Sequence, residues 1–305
     1  MNRSPTSNFG TARTARYSVT VNEAFLRALA VSQGLAVLFW FVALMLHSSG
    51  TIPVWWDLQH HFINAWPNIG DPYTLTGWVY VPYAALILIP LTLLSLSGAA
   101  LLQTCLLFGL VTTLIFRRGG TFRTLLIVLG SFIALDCCIE SNIDWLIALA
   151  LIIPREYSLV LILIKPQDAI GYMLTFSRRE LVRSVALTGV MLTISLVAWG
   201  WWPIRMWRAI QTYTLGRSFN IAPLAVLPVP LALAIGAALG YVAWRRKDTA
   251  LGVIAGVFVV PYLTLYSTLI AFTMVALKWP RLALIINLSM WAVYGGVFLL
   301  VALNR

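Results

Sequence analysis

The stretch from Trp55 to Pro90 holds the side chains of this sequence that are best suited to acid–base chemistry. It contains two carboxylates, Asp57 and Asp71, and two adjacent histidines, His60 and His61, but neither Lys nor Arg. A carboxylate that is held in position can take the proton of a hydroxyl group as that group attacks, which is general-base catalysis. Asp57 is therefore a candidate base.

A short amphipathic helix is predicted to begin at Asp57. Apolar residues follow at helical spacing, and Pro67 then ends the pattern; these residues are Leu58, Phe62, Ala65 and Trp66. At the start of such a helix Asp57 could also act only as an N-cap, which is the simpler alternative to catalysis. Adjacent histidines point about 100° apart on a helix and cannot chelate one ion, so no metal site is predicted.

Composition places these residues in a membrane protein. Of the 305 residues, 60% are hydrophobic and only 10% are charged, and the mean hydropathy is +0.88. This excludes a soluble domain and predicts an all-α, polytopic chain with room for about nine to ten transmembrane or re-entrant helices. The formal charge of +11 comes from bases at the ends of apolar runs, as in topology signals. Anionic membrane lipids, rather than nucleic acid, are the expected partners.

The distribution of bases predicts the orientation. Residues 1–22 form a basic tail that we expect to be cytoplasmic and disordered, followed by a single membrane domain, residues 23–305. Residues 48–77 contain no Lys or Arg and are expected to form an extracytoplasmic first loop that includes the amphipathic helix. No cleavable signal peptide is evident. The protein is thus predicted to be integral to the cell membrane with its N-terminus inside.

The passes after this loop leave two alternatives open. Two apolar runs, 78–96 and 99–116, lie between the loop and the basic segment that contains Arg117, Arg118 and Arg123. Two complete crossings would put these arginines on the side of the loop. Either one run is short and re-entrant, or the arginines lie outside. A re-entrant backbone would need protein or a water-filled cavity around it.

Lys165 follows an apolar run that is too short to cross a bilayer. The eight residues from Tyr157 to Ile164 would rise about 12 Å as a helix, against a hydrocarbon thickness of about 30 Å. Lys165 is therefore expected at membrane depth or in a cavity. It could serve a bound anion, form an ion pair with Asp168 three residues later, or extend to the interface.

The order of residues in the first loop resembles a known family. Asp57, then Gly70-Asp71-Pro72-Tyr73, then Tyr80-Val81-Pro82 are similar to the first extracytoplasmic loop of the GT-C superfamily. Within it, the closest resemblance is to glycosyltransferase family 87, which uses polyprenyl-phosphate-mannose donors. Tyr83 stands where that family has a second proline.

Later positions extend the resemblance with one departure. Asn142 and Asp144 fall on the polar positions of a family element that opens a short helix, and Lys165-Pro166 resembles the Lys-Pro element. Tyr266 lies in a late polar element, but Ser267 follows where an acid or a histidine is usual.

The resemblance implies a membrane enzyme with a GT-C-like fold. It would transfer a sugar, mannose being one candidate, from a polyprenyl-phosphate donor to an extracytoplasmic lipid or glycan acceptor, with no cofactor. Asp57 would be the base. The donor phosphate would be bound by Lys165, Arg205, Arg208 and Arg217. The substrates would also contact Asp71, Tyr73, Tyr80, Asn142, Asp144 and Gln167.

Other interpretations of these residues stay open. The arginines could belong to an interfacial helix that binds lipid headgroups, and the tyrosines could belong to an aromatic belt. A transporter or lipid-handling protein would account equally for broken helices around Lys165. A GT-C-like subunit without catalytic activity is a third possibility. A cavity lined by both Asp57 and Lys165 would favour transfer, and inverted repeats would favour transport.

Overall fold

The computed structural model describes residues 23–50, 52–75, 77–214 and 220–303, and within these ranges the protein is all-α. The basic tail predicted for residues 1–22 lies outside the described residues. The α-helices are α1 Glu23–Ser49, α2 Ala84–Thr92, α3 Leu96–Arg117, α4 Phe122–Leu129, α5 Phe132–Glu140, α6 Asp144–Ala150, α7 Arg155–Ile162, α8 Arg178–Trp199, α9 Trp202–Thr214, α10 Pro223–Val226, α11 Val229–Arg246, α12 Thr249–Val257, α13 Leu269–Lys278 and α14 Pro280–Leu303.

Three of these helices are long and apolar enough to cross a membrane, namely α1, α3 and α8. The pair α4 and α5, bent by 54° at its break, could form a fourth span. These helices agree with an integral membrane protein. The larger number predicted from composition also counted re-entrant helices and stays a prediction.

Helices α1 and α3 are antiparallel. The Phe25 and Phe116 rings lie 5.7 Å apart, and Trp40 Nε1 donates to the Ser97 carbonyl at 2.9 Å. Arg117 and Arg118 therefore lie at the same end of the molecule as the start of α1. We call this the basic end, and the opposite end, which holds residues 52–75 and 77–83, the loop end.

This arrangement favours the alternative in which one of the two apolar runs is short and does not cross. Helix α2 has nine residues, a rise of about 13 Å, which is too short to cross a bilayer. The run 78–96 therefore does not cross, and only α3 returns the chain from the loop end to the basic end.

Several short helices enter the molecule from the basic end. Arg117 and Arg118 donate to the carbonyls of Ile152 and Leu151 at 3.0 and 3.3 Å, which fixes the connection between α6 and α7 at that end. The other ends of these two helices, marked by Asp144 and Lys165, point into the interior.

Helices α12 and α13 form a hairpin that also enters from the basic end. Asp248 caps α12 by accepting from Leu251 N at 3.1 Å, and its carboxylate pairs with Lys278 at the end of α13. The chain reverses between Phe258 and Thr268. The apolar run 250–277 therefore turns back inside the protein instead of crossing it.

The loop end is packed against the end of α5. Trp55 donates through its backbone N–H to the Ile139 carbonyl at 2.6 Å and through Nε1 to the Cys138 carbonyl at 3.2 Å. The predicted amphipathic helix is shorter than expected, since it consists of a π-helical turn, Leu58–Phe62, followed by turns. Three of its predicted apolar positions are buried, but the Trp66 side chain is 51% exposed.

Helix α8 connects the two ends. Near its start Glu180 pairs with Arg155 at 3.3 Å, and at its end Trp199 Nε1 donates to the Ile69 carbonyl at 2.6 Å. Gly200 then adopts a left-handed φ of 64°, which turns the chain into α9. The arginines of α9 therefore lie at the loop end.

Candidate functional site

A set of buried polar side chains lies where the short helices meet the loop. These residues come from five separate stretches of the chain, and each is at most 8% exposed. We call them the buried polar cluster: Asp57, His61, Tyr80, Asn142, Asp144, Lys165, Asp168 and Tyr266.

Asp57 is 2% exposed and is held by three neighbours. Asn142 Nδ2 and the Tyr266 hydroxyl, the latter at 3.4 Å, donate to Oδ2, and His61 Nδ1 lies 3.6 Å from Oδ1. The alternative that Asp57 serves as an N-cap is wrong. Its backbone is already helical, with φ −64° and ψ −39°, and its side chain makes no capping hydrogen bond.

Asn142 links Asp57 to Tyr80. Its Oδ1 atom accepts from the Ile143 N–H at 2.7 Å and faces the Tyr80 hydroxyl at 3.5 Å. The amide group is thereby oriented with its nitrogen toward Asp57. The left-handed backbone of Ser141, with φ 50°, lies at the end of α5 just before this asparagine.

Lys165 is paired with two carboxylates. Its ammonium nitrogen lies 2.6 Å from Asp144 Oδ1 and 3.3 Å from Asp168 Oδ2, and the residue is 2% exposed. The ion pair with Asp168, which the sequence offered as an alternative to anion binding, is therefore present. To bind a donor phosphate, Lys165 would have to leave both partners, since its charge is already satisfied.

Tyr266 joins the two halves of the cluster. Its hydroxyl donates to Asp57, and its ring centroid lies 4.7 Å from the Lys165 ammonium nitrogen, a cation–π contact. Its carbonyl accepts from Cys137 Sγ at 3.1 Å, and its backbone lies near the Asp136 carboxyl. The tip of the α12–α13 hairpin thus completes the site.

A second polar group lies at the loop end, nearer to the surface. Arg205 forms an ion pair with Asp71 at 2.7 Å, and its guanidinium carbon lies 5.8 Å from the centre of the Tyr73 ring. The Tyr73 hydroxyl donates to the Tyr80 carbonyl at 2.9 Å, which connects this group to the buried polar cluster. Burial raises the pKa of Tyr73, so its hydroxyl remains a donor at neutral pH; Arg205 opposes this shift and Asp71 adds to it.

Three of the predicted binding residues are not placed in either group. Arg208 is exposed on α9, and Gln167 is half-buried two residues after Lys165. Arg217 lies outside the described residues. Within the described ranges, no group of three or more His, Cys, Asp or Glu side chains could hold a metal ion.

The sequence did not reveal several members of the site. Asp168 was considered only as a partner for Lys165, His61 only as a metal ligand, and Tyr266 only as part of a family element. Asp136 was overlooked, although an acid inside the apolar segment 132–139 is an available signal, because such residues are expensive in a membrane interior. Their convergence depends on how the hairpin folds back.

Known proteins offer no direct guide to this site. Comparison with family models, with curated proteins and with solved structures finds no match to this chain.

Proposed function

We propose that the protein is a GT-C-like membrane glycosyltransferase that takes a sugar from a polyprenyl-phosphate donor. The proposal is supported chiefly by one observation. Five residues that the family resemblance singled out, spread between positions 57 and 165, lie together in the buried polar cluster: Asp57, Tyr80, Asn142, Asp144 and Lys165. A resemblance carried by unrelated positions would not be expected to bring them into one place.

In this proposal Asp57 is the general base for the acceptor hydroxyl. Asn142 and Tyr266 orient its carboxylate by donating to the same oxygen, Oδ2. His61 Nδ1 lies 3.6 Å from the other oxygen, Oδ1. In the transition state the carboxylate would take the proton of the acceptor hydroxyl.

The donor phosphate is assigned to the arginines of α9. Arg205 is held at the loop end by Asp71 and is about one third exposed, at 35%, while Arg208 is exposed one helical turn away. Guanidinium groups suit phosphate oxygens because their N–H donors match them two at a time. Lys165 is then a positioning residue that holds Asp144 and the Tyr266 ring.

A substrate reaches Asp57 only if the loop end opens, because Asp57 is 2% exposed. The loop segment that covers Asp57 lies between two glycines with left-handed backbones, Gly50 with φ 63° and Gly77 with φ 82°. Positions of this kind can absorb the change in backbone angles that a loop movement requires. The bases at the basic end favour placing that end in the cytoplasm and the loop end outside.

The proposal is tested by a transfer assay on Asp57→Asn. Asn has the size of Asp and can still accept from Asn142 and Tyr266, but it cannot take a proton, so transfer should fall by about a hundredfold or more. Purified protein in lipid would be given a panel of polyprenyl-phosphate sugars and a glycan acceptor. Glu156→Gln is the matched control, since it removes a half-buried carboxylate that faces Arg183 at 3.6 Å near the basic end. Equal transfer by wild type and Asp57→Asn would contradict the base assignment.

A second candidate function is proton- or ion-coupled transport. It is favoured by short helices that carry ionisable residues to a buried meeting point, as in transporters built from discontinuous helices. Asp144, Lys165 and Asp168 are at most 2% exposed. If wild type transfers no sugar from any donor, and vesicles containing it show substrate-dependent proton movement that Asp168→Asn abolishes, transport is the better account.

A further inference from the structure

We propose that Asp144 and Asp168 bind one proton between them in the folded protein, so that together with Lys165 they form an electrically neutral proton site. This inference rests on the geometry of the three side chains and not on the proposed sugar transfer.

The hydrogen bonding of Lys165 satisfies only part of the two carboxylates. A lysine ammonium has three N–H bonds and no acceptor. Here it donates to Asp144 Oδ1 at 2.6 Å, and its nitrogen lies 3.3 Å from Asp168 Oδ2 and 4.7 Å from the centre of the Tyr266 ring. Asp168 Oδ2 is close to the ammonium group but receives no hydrogen bond from it.

Three buried acceptors are left without a donor. Among the described residues, none donates a hydrogen bond to Asp144 Oδ2 or to either carboxylate oxygen of Asp168, although the two residues are 0% and 1% exposed. Asp144 and Asp168 approach the same Lys165 nitrogen, at 2.6 and 3.3 Å, so their carboxylates are near neighbours. Two ionised carboxylates cannot hydrogen-bond to each other, because both are acceptors only. A proton on one of them supplies the missing donor.

Charge balance leads to the same conclusion. If both carboxylates are ionised, the three groups carry a net charge of −1 at a site closed to water, which costs several kcal/mol per ion. Among the described residues, Lys165 is the basic side chain that forms ion pairs with Asp144 and Asp168. Asp136 and the Cys137 thiol lie on the adjacent α5, and beyond Tyr266 lie Asp57 and the ring of His61. One bound proton removes the excess.

Infrared difference spectroscopy on the purified protein in lipid tests this directly. A protonated carboxyl group has a C=O stretching band that is separate from the carboxylate bands and shifts when the sample is moved to D₂O. The difference spectrum between wild type and Asp168→Asn at pH 7 should show the loss of one such band. If only carboxylate bands are lost, both groups are ionised and the proposal is wrong.

Two further variants control for misfolding of Asp168→Asn and for spectral changes unrelated to the proton site. If Asp168→Asn does not fold, Asp144→Asn gives the same readout, because removing either partner removes the shared proton. Glu156→Gln, which alters an ion-paired carboxylate at the surface, should change carboxylate bands only. The result does not depend on catalysis: a lost acid band together with inactive wild type would retain the proton site and reject sugar transfer.

Discussion

The role that the sequence suggests for Lys165 differs from the role that its contacts in the structure support. Its short approach helix predicted a lysine at membrane depth or in a cavity, and the resemblance implied a phosphate ligand. In the folded chain its charge is shared by Asp144 and Asp168, and its Nζ atom faces Tyr266. The sequence could suggest the pair between Lys165 and Asp168, because the two residues are only three positions apart. It could not suggest the contact of Lys165 with Tyr266, a residue whose hydroxyl donates to Asp57, 209 positions away in the chain.

Lys165→Met should therefore destabilise the protein strongly. It would leave two adjacent buried carboxylates with no cation, and breaking a buried ion pair from one side costs about 3–5 kcal/mol. Thermal unfolding in detergent, followed by loss of soluble protein, measures the effect. A variant that combines Lys165→Met with Asp144→Asn and Asp168→Asn should recover most of the loss, because no unpaired charge remains. A stable Lys165→Met protein with weakened donor binding would instead restore the phosphate role.

At the scale of elements, length and composition predicted the long helices well and the short ones poorly. The predicted apolar run 99–116 corresponds to α3, Leu96–Arg117, whereas the run 78–96 contains only the nine-residue helix α2. The run 250–277 is uniformly apolar, yet it forms the hairpin of α12 and α13, because hydropathy reports burial and not chain direction. Pro261 at the middle of this run was the available sign of the reversal.

The hairpin is seated by contact between backbones. A β-carbon on Gly171 would lie 2.0 Å from the Gly252 carbonyl oxygen and 2.7 Å from Gly256 N. Gly171→Ala should thus force the segment Ile170–Thr175 away from α12 and cost about 1–3 kcal/mol or more, as overpacking does. The same thermal assay measures this loss.

Gly189→Ala is the matched control for that substitution. Gly189 lies in α8 with no atom within 4 Å of its added β-carbon, so the change should be neutral or slightly stabilising, because Ala favours helix over Gly by about 1 kcal/mol. Equal stability of the Gly171→Ala and Gly189→Ala proteins would mean that the packing of Ile170–Thr175 on α12 is not as close as described.

At the scale of the whole molecule, the distribution of Lys and Arg can be described by the two ends of the molecule, the basic end and the loop end. The sequence predicted the side of the first loop from its lack of Lys and Arg but could not count the passes after it, because α2 looks as apolar as a spanning helix. Of the two apolar runs after the loop, only α3 is long and apolar enough to cross a membrane, and it brings Arg117 and Arg118 to the end that holds the start of α1. Arg205 and Arg208 lie at the loop end, contrary to the usual enrichment of Lys and Arg on the cytoplasmic side. For Arg205, the ion pair with Asp71 is a local reason for this position.

Cysteine labelling tests this topology in intact cells. Asn64→Cys, exposed at the loop end, should react with a membrane-impermeant thiol reagent, whereas Arg246→Cys, exposed near the basic end, should react only after permeabilisation. Wild type gives the background, since Cys137 and Cys138 are buried and Cys105 is half-buried. Protection of Asn64→Cys together with labelling of Arg246→Cys would reverse the proposed orientation.

The central claim is that the buried polar cluster and the arginines of α9 form one site for a polyprenyl-phosphate sugar. Electron cryomicroscopy of the protein in lipid with a non-transferable analogue of such a donor tests it most directly. The account predicts phosphate density beside Arg205 and sugar density reaching Asp57, with the loop at residues 52–83 moved from its closed position. Donor density confined to another surface, with Asp57 still closed beneath Asn142 and Tyr266, would contradict it.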